Sequence, residues 1–319
     1  MSSGIKSYRD LLDKYPSIRE ASRQTGIPYT TLQNNLKREL KQIEKPIMPR
    51  VSTQYIQEPY VQPILKRTLA IADTHDDPNI PKDRFKWMGY HAKHGKYDHV
   101  IHLGDVADLL SLCTHVPNES YHGRFKGTYQ DDLTSLNESL GLFQSESGNI
   151  PVYGVLGNHD IRAKLYETKY PETNGTMHHA LMRVFESNNW HMKEYGQRMT
   201  VEGVDYIHTP FAKGSGTKPL GGQNIMSRQA KRIVRPMVFG HNHMRGVYTE
   251  EKDDGEHGNV VMINVPCSLP QGFVFDYVGD SPSGWSYGVY EIVTLDGKII
   301  AEKLHSMIEL QIEWEARHG

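Results

Sequence analysis

Five short clusters carry nearly all the chemistry this chain can do. In order they are Asp73-Thr-His75, Gly104-Asp105-Val-Ala-Asp108, Gly157-Asn158-His159-Asp160, a lone His208, and Gly240-His241-Asn242-His243. Their side chains offer imidazole, carboxylate and amide donors. With only two cysteines in the chain, Cys113 and Cys267, neither a closed thiolate zinc site nor a disulfide framework is available. Such mixed donors suit borderline divalent ions such as Mn²⁺, Zn²⁺ or Fe²⁺, and nothing in them favours Cu(I). Taken singly, an Asp-x-His or a His-x-His is common and often only structural. Five in order, each just after an apolar run, point to one shared metal-binding crevice.

The elements that must position these clusters follow from hydrophobic periodicity. Apolar runs at 69–72, 100–103, 152–156, 204–207, 237–239 and 260–263 read as strands, and segments 83–95, 131–146 and 177–190 read as helices. Strands alternating with helices predict an α/β body around a central sheet, whose ligands gather beyond the carboxyl ends of the strands. Leu295-Asp296-Gly297 predicts a hairpin turn between two strands within 286–305. Residues 64–319 are therefore expected to form the main domain, after a Pro-rich linker at 45–63 with Pro46, Pro49, Pro59 and Pro63.

The first 44 residues have another texture. Residues 7–42 read as helical, broken by Gly26 and Pro28, with Ser17 suited to an N-cap. Residues 1–45 hold nine Lys/Arg against five Asp/Glu, so +4 of charge sits on a chain whose net charge is −2. A basic head suits an anionic polymer, although an ordinary solvated helix face has the same charge. The segment Ser17–Leu36 resembles the helix-turn-helix of DNA-binding proteins, with small Ser22, turn Gly26 and apolar Leu32 where close crossing, a left-handed residue and a packing anchor are needed. That resemblance implies a recognition helix starting near Tyr29 that presents Tyr29, Thr30, Gln33, Asn34, Lys37 and Arg38 to bases or phosphates. A helical pair serving assembly is the competing reading.

The five clusters, in their order, resemble the motifs of the calcineurin-like metallophosphoesterase superfamily over residues 67–268. The resemblance implies an α/β fold, a metallophosphoesterase β-sandwich flanked by helices, and two divalent metal ions. Asp73, His75, Asp105 and His243 would surround one ion, and Asp105, Asn158, His208 and His241 the other, with Asp105 bridging. Mn²⁺ is expected, with Zn²⁺, Fe²⁺, Ni²⁺ and Mg²⁺ as alternatives. His159 matches the family's catalytic, non-ligand histidine, a general acid or transition-state stabiliser, and Asp108 matches the carboxylate that orients it. Two such ions lower the pKa of a bridging water, which supplies hydroxide at neutral pH.

Substrate class is tilted towards DNA by three features. Leu109 follows Asp108 where the family's protein phosphatases carry Arg, and Gly157-Asn-His-Asp160 ends in Asp as in double-strand-break repair nucleases. The third is the helix-turn-helix-like head, which would hold DNA near the metals. The expectation is a metal-dependent nuclease with DNA or another nucleic acid as partner. A small-molecule phosphodiesterase or phosphomonoesterase whose N-terminal helices serve assembly is the alternative; an inert DNA-binding regulator is disfavoured by the full ligand set. Asn264-Val-Pro-Cys-Ser268 resembles the Asn-Pro-Gly-Ser segment that closes the site in some nucleases, with departures at Val265 and Cys267. Residues 110–130, with Tyr121, His122, Arg124, Lys126 and Tyr129, could stack bases or be a surface loop without a ligand. Gly214–Lys218 reads as a loop. A mean hydropathy of −0.59 and the lack of a long apolar run exclude a membrane span. No secretory signal is visible, so the cytoplasm is expected; a homodimer is one option for assembly.

Overall fold

A computed structural model of the chain describes residues 14–43, 64–114, 124, 126–211, 224–252, 259–275 and 284–318. The chain divides into two compact units, 1–61 and 62–319. The expected linker at 45–63, the loop at 214–218, and Tyr121 and His122 lie outside the described residues.

In the first unit, α1 (Ile18–Thr25) starts where the Ser17 side chain accepts from the Glu20 N–H at 3.2 Å, and it ends at Gly26, whose φ of 71° a side chain would oppose. The Ser22 hydroxyl donates to the Ile27 carbonyl at 2.7 Å, tightening the turn into α2 (Tyr29–Ile43). Ala21 of α1 and Leu32 and Leu36 of α2 are each buried, and the two helices pack on each other. Tyr29, Thr30, Asn34, Lys37 and Arg38 are exposed and Gln33 is half-buried, so the polar stripe at 30, 33, 34, 37 and 38 faces away from that seam.

The second unit is a four-layered stack of helices, two sheets and a further helix. Its six-stranded sheet runs β11-β10-β1-β2-β3-β4, comprising β1 (Lys66–Ile71), β2 (His99–His102), β3 (Val152–Val155), β4 (Trp190–Lys193), β10 (Gly288–Leu295) and β11 (Lys298–Ser306). The five-stranded sheet runs β5-β6-β7-β9-β8, comprising β5 (Met199–Val201), β6 (Val204–Ile207), β7 (Met237–Phe239), β8 (Gly246–Glu250) and β9 (Val260–Asn264). Strand alternation sorts the core. Ala70, Ile101, Val155, Tyr206, Val238, Ile263 and Tyr290 fill the space between the sheets. Leu69, Ile71, Val100 and Val152 point the other way, onto α3 (Asp83–His94), α4 (Tyr129–Ser147), α5 (Arg162–Lys169), α6 (Met177–Ser187) and α8 (Met307–His318). On the outer face of the second sheet, α7 (Ile225–Ala230) buries Ile225 and Ala230 against Ile207, Phe239 and Met262.

Several boundaries differ from the sequence expectation. The helix expected over 177–190 stops at Ser187, because Asn189 adopts a φ of 59° and Trp190 opens strand β4. Strands β4, β5 and β8 and helices α5, α7 and α8 were not expected; the cap of α8, Ser306 accepting from the Glu309 N–H at 3.1 Å, carries a Ser-x-x-Glu signature readable in the sequence. The hairpin forms where expected, with Asp296 and Gly297 at φ 48° and 77° and Leu295 paired to Lys298. Among the described residues no helix is long and apolar enough to cross a membrane.

Candidate metal centre

Strands β1, β2 and β3 are parallel neighbours in one sheet, and β6 and β7 are parallel neighbours in the other. Each of the five clusters therefore leaves a carboxyl end, and both sheets deliver theirs to the same crevice. The loops are fastened to one another by backbone bonds: Asp73 N donates to Gly104 O at 3.1 Å, His75 N to Asp105 O at 2.9 Å, and Asp108 N to Asp76 O at 2.9 Å. Asp160 completes the clamp by accepting from the N–H groups of Gly157, Ala107 and Val106 at 2.8, 3.0 and 3.3 Å. Its role in Gly157-Asn-His-Asp160 is thus structural. Burial, with Asp105 nearby, pushes its carboxyl up to about 6.

Asp73, His75, Asp105, His241 and His243 all have φ between 41° and 72°. For residues with a Cβ that conformation costs about 1–2 kcal/mol each, and it persists only where the surroundings impose it. Gly157 is required here for another reason: a Cβ there would land on the Asp105 carboxylate.

The side chains converge as electron-pair donors. Asp73, His75 and His243 place one donor atom each within 4.8 Å of one another, and so do Asp105, His208 and His241. His208 donates from Nδ1 to the Leu103 carbonyl at 2.8 Å, which leaves the Nε2 lone pair facing Asn158 Oδ1 at 2.9 Å and Asp105 Oδ2 at 3.4 Å. His75 donates from Nδ1 to Asp108 Oδ1 at 3.2 Å, and its Nε2 faces His243 Nε2 at 3.0 Å and Asp105 Oδ2 at 3.8 Å. Asp73 accepts from His241 N at 2.8 Å through Oδ2, while buried Oδ1, 3.7 Å from His243 Nε2, has no hydrogen-bond donor. Acceptors facing acceptors in a buried place are costly unless a cation lies among them. The donor set therefore fits a pair of divalent ions flanking Asp105.

Electrostatics agree with that fit. Burial lowers the imidazoles of His75 and His208, takes His243 well below its usual value and brings His241 to about 4, so all four are neutral with free lone pairs at neutral pH. Asp105, despite its burial, is held far below the usual carboxylate range by His208, His159 and His75, and Asp73 is raised by burial and by Asp105.

His159 and Asp108 occupy the rim. His159 Nδ1 donates to Asp108 Oδ1 at 2.8 Å, and its backbone N–H donates to Asp105 Oδ1 at 2.7 Å. Its Nε2 is 4.0 Å from Asp105 Oδ2 and 3.4 Å from an Arg162 guanidinium nitrogen, a neighbour that makes the nitrogen a poor cation ligand. Arg162 is fixed by donation to the Asp108 carbonyl at 2.5 Å. Sequence reasoning missed it; the available signal was its place one helical turn after His159.

A cavity of about 500 Å³ opens beside Asn158, lined also by Arg162, Tyr166, Lys169 and Tyr170. The two tyrosine rings stand 4.5 Å apart, and Lys169 Nζ lies 5.3 Å over Tyr170. Beside the His75–His243 pair, Trp285 meets the His243 ring at 4.2 Å and Phe275 meets His75 at 5.4 Å. The Asn264–Ser268 segment seals the base, with Ser268 N donating to Ala72 O at 2.9 Å and Cys267 fully buried. Within 110–130, Tyr129 is not a stacking platform: its hydroxyl donates to Met177 O at 2.7 Å and it opens α4.

Two packed sheets, helices on their outer faces and paired His/Asp clusters at the strand ends define a metal-dependent phosphoesterase. The family model of the calcineurin-like phosphoesterases matches residues 66–259, well over half of the chain, and the chain belongs to that family. Its chemistry is metal-dependent phosphoester hydrolysis at a dinuclear centre. Among solved structures, a metallophosphoesterase from Sphaerobacter thermophilus is 14% identical, covering 80% of this chain and 95% of its own at a TM-score of 0.40. A purple acid phosphatase from yellow lupin (Lupinus luteus) seeds is also 14% identical, covering 78% of this chain and 55% of its own at a TM-score of 0.33. No curated protein matches the chain.

Proposed function

We propose that this chain is a nuclease that hydrolyses phosphodiester bonds of DNA. The observation that carries the reading is the cavity beside Asn158, where cationic Arg162 and Lys169 alternate with Tyr166 and Tyr170. Guanidinium and ammonium groups suit backbone phosphates, and tyrosine faces suit unstacked bases. Leu109 tilts the reading the same way, since it follows Asp108 in the sequence where the family's protein phosphatases carry Arg.

In this reading Asp73, His75, Asp105 and His243 hold one cation and Asp105, Asn158, His208 and His241 the other, with Mn²⁺ expected. Bound there, the two cations supply positive charge for the phosphoryl oxygens and a water of lowered pKa. The protein's own contribution lies in His159 and its neighbours. Asp108 fixes the ring through Nδ1, so Nε2 is turned to the crevice, where it passes a proton to the leaving oxygen. Arg162, anchored on the Asp108 carbonyl, brings a second fixed charge to that side of the phosphate. The polar stripe of Thr30, half-buried Gln33, Asn34, Lys37 and Arg38, with Tyr29, holds DNA through base edges and phosphates.

The test is the Mn²⁺-loaded full chain on plasmid DNA, an oligonucleotide, bis(4-nitrophenyl) phosphate and 4-nitrophenyl phosphate. Cleavage of DNA and of the diester is expected; hydrolysis of the monoester alone would overturn the nuclease reading in favour of a phosphomonoesterase. Lys37→Ala with Arg38→Ala should weaken DNA binding uniformly across sequences and flatten its logarithmic salt slope by about 2.

A further inference from the structure

Outside the crevice, a second group of imidazoles and carboxylates gathers where α8 meets α3 and β11. His91 comes from the last turn of α3, His305 from the end of β11 and Glu313 from the middle of α8. One donor atom from each lies within 4.8 Å of the other two. Both imidazoles are buried, 6% and 5% exposed, whereas the Glu313 side chain is 41% exposed at the surface. His91 Nδ1 stands 2.8 Å from Glu313 Oε2, and the two rings are 4.4 Å apart.

Each imidazole also has a holder. The Tyr97 hydroxyl is 2.8 Å from His91 Nε2, on the far side of the ring from Glu313. His305 has Glu309 at 3.2 Å from Nδ1 and Glu291 at 3.4 Å from Nε2, and Glu291 is itself gripped by Arg67 at 2.8 Å. An imidazole with one nitrogen turned to a shared point and the other held by a hydroxyl or carboxylate is how metal-bound histidines are oriented, since the outer bond fixes tautomer and ring plane; His91 is held so, while His305 has Glu291 behind Nε2 and Glu309 beside Nδ1. A cavity of about 340 Å³ lined by His91, His94, Glu313 and Arg317 opens onto the cluster and gives an ion and its water a way in.

We propose that His91, His305 and Glu313 form a second, structural metal site for a borderline divalent cation, Zn²⁺ foremost. Two imidazoles and a carboxylate are a zinc donor set with one position left for water or for Glu309. The ion would tie α8 to α3, and because the unfolded chain brings no such trio together, binding stabilises the fold by mass action. The site uses none of the crevice residues, so it stands or falls apart from the nuclease reading.

The test uses full-length wild type, Glu313→Gln, Tyr97→Phe and Asp105→Asn, each stripped with chelator, loaded with Zn²⁺, desalted and counted by plasma mass spectrometry. Glu313→Gln is expected to hold one ion fewer than wild type, and Asp105→Asn to keep the ion that Glu313→Gln loses. Tyr97→Phe should weaken that ion's binding about 10–100-fold. In the Asp105→Asn background Zn²⁺ should raise Tm, and adding Glu313→Gln should abolish the rise. Glu313 is partly exposed and Gln is close to isosteric, so circular dichroism should show an intact fold. Equal zinc counts in wild type and Glu313→Gln, with the same zinc-dependent Tm shift, would overturn the proposal.

Discussion

His159→Asn separates the two tasks of the crevice, holding cations and moving a proton. The side chain is only 12% exposed and its Nδ1–H is committed to Asp108 at 2.8 Å. Burial and the nearby Arg162 charge lower its pKa, but Asp105 and Asp108 outweigh them, so the net shift is upward and favours the imidazolium form. A positioned general acid is worth about 10²–10⁴-fold, or about 3–5 kcal/mol at 1.36 kcal/mol per decade. The leaving group decides how much of this appears. An alkoxide leaving from a dinucleotide needs the proton, whereas 4-nitrophenolate departs as a stable anion. Steady-state kcat of the Mn²⁺-loaded variant should therefore fall about 10²–10⁴-fold on a dinucleotide and far less on bis(4-nitrophenyl) phosphate, with the metal content unchanged. Equal losses on both substrates would move His159 from acid to charge stabiliser. A loss below tenfold on the dinucleotide, or loss of metal, would refute the reasoning.

Three further outcomes follow from the same geometry. Asp108→Asn removes an anion that raises the His159 pKa, so the alkaline limb of the kcat/KM–pH profile should move to lower pH, read from initial rates across pH with metal saturating. Gly240→Ala puts a Cβ 2.6 Å from Asp73 Oδ2, and Gly157→Ala puts one on the Asp105 carboxylate; both variants should lose bound metal and activity together while keeping their far-ultraviolet dichroism. Phe143→Ala, at a fully buried position of α4 packed edge-on against Trp190, should cost about 3–5 kcal/mol in denaturant unfolding without moving the metal count.

How much was legible depends on how local the determinant was. Strands whose apolar runs stood alone, such as those ending at Ile71, His102 and Val155, were readable, and so was the Asp296-Gly297 turn, because each is fixed by residues within a few positions. Trp190–Lys193 was not: its four residues follow closely on the helical segment Met177–Ser187, and only pairing with β3 makes them a strand. The same holds for Met199–Val201, three residues whose partner is β6. Arg162 escaped because its place three residues after His159, at the start of α5, is a weak signal; its meaning comes from the Asp108 carbonyl it reaches across 54 positions.

By itself the sequence determined the inventory of donors and their order at strand ends, since residue type and spacing set what chemistry each loop can offer. Only the tertiary structure decided which donors meet. His75 and His243, 168 positions apart, face each other at 3.0 Å because two separate sheets bring their carboxyl edges together. It also decided the fate of chemically equivalent residues: neighbouring imidazoles lower Asp105 against its burial, burial and Asp105 raise Asp160, and long-range packing sets His91 and His305 side by side far from any motif. Dielectric surroundings and long-range packing are properties of the folded chain, and no window of sequence contains them.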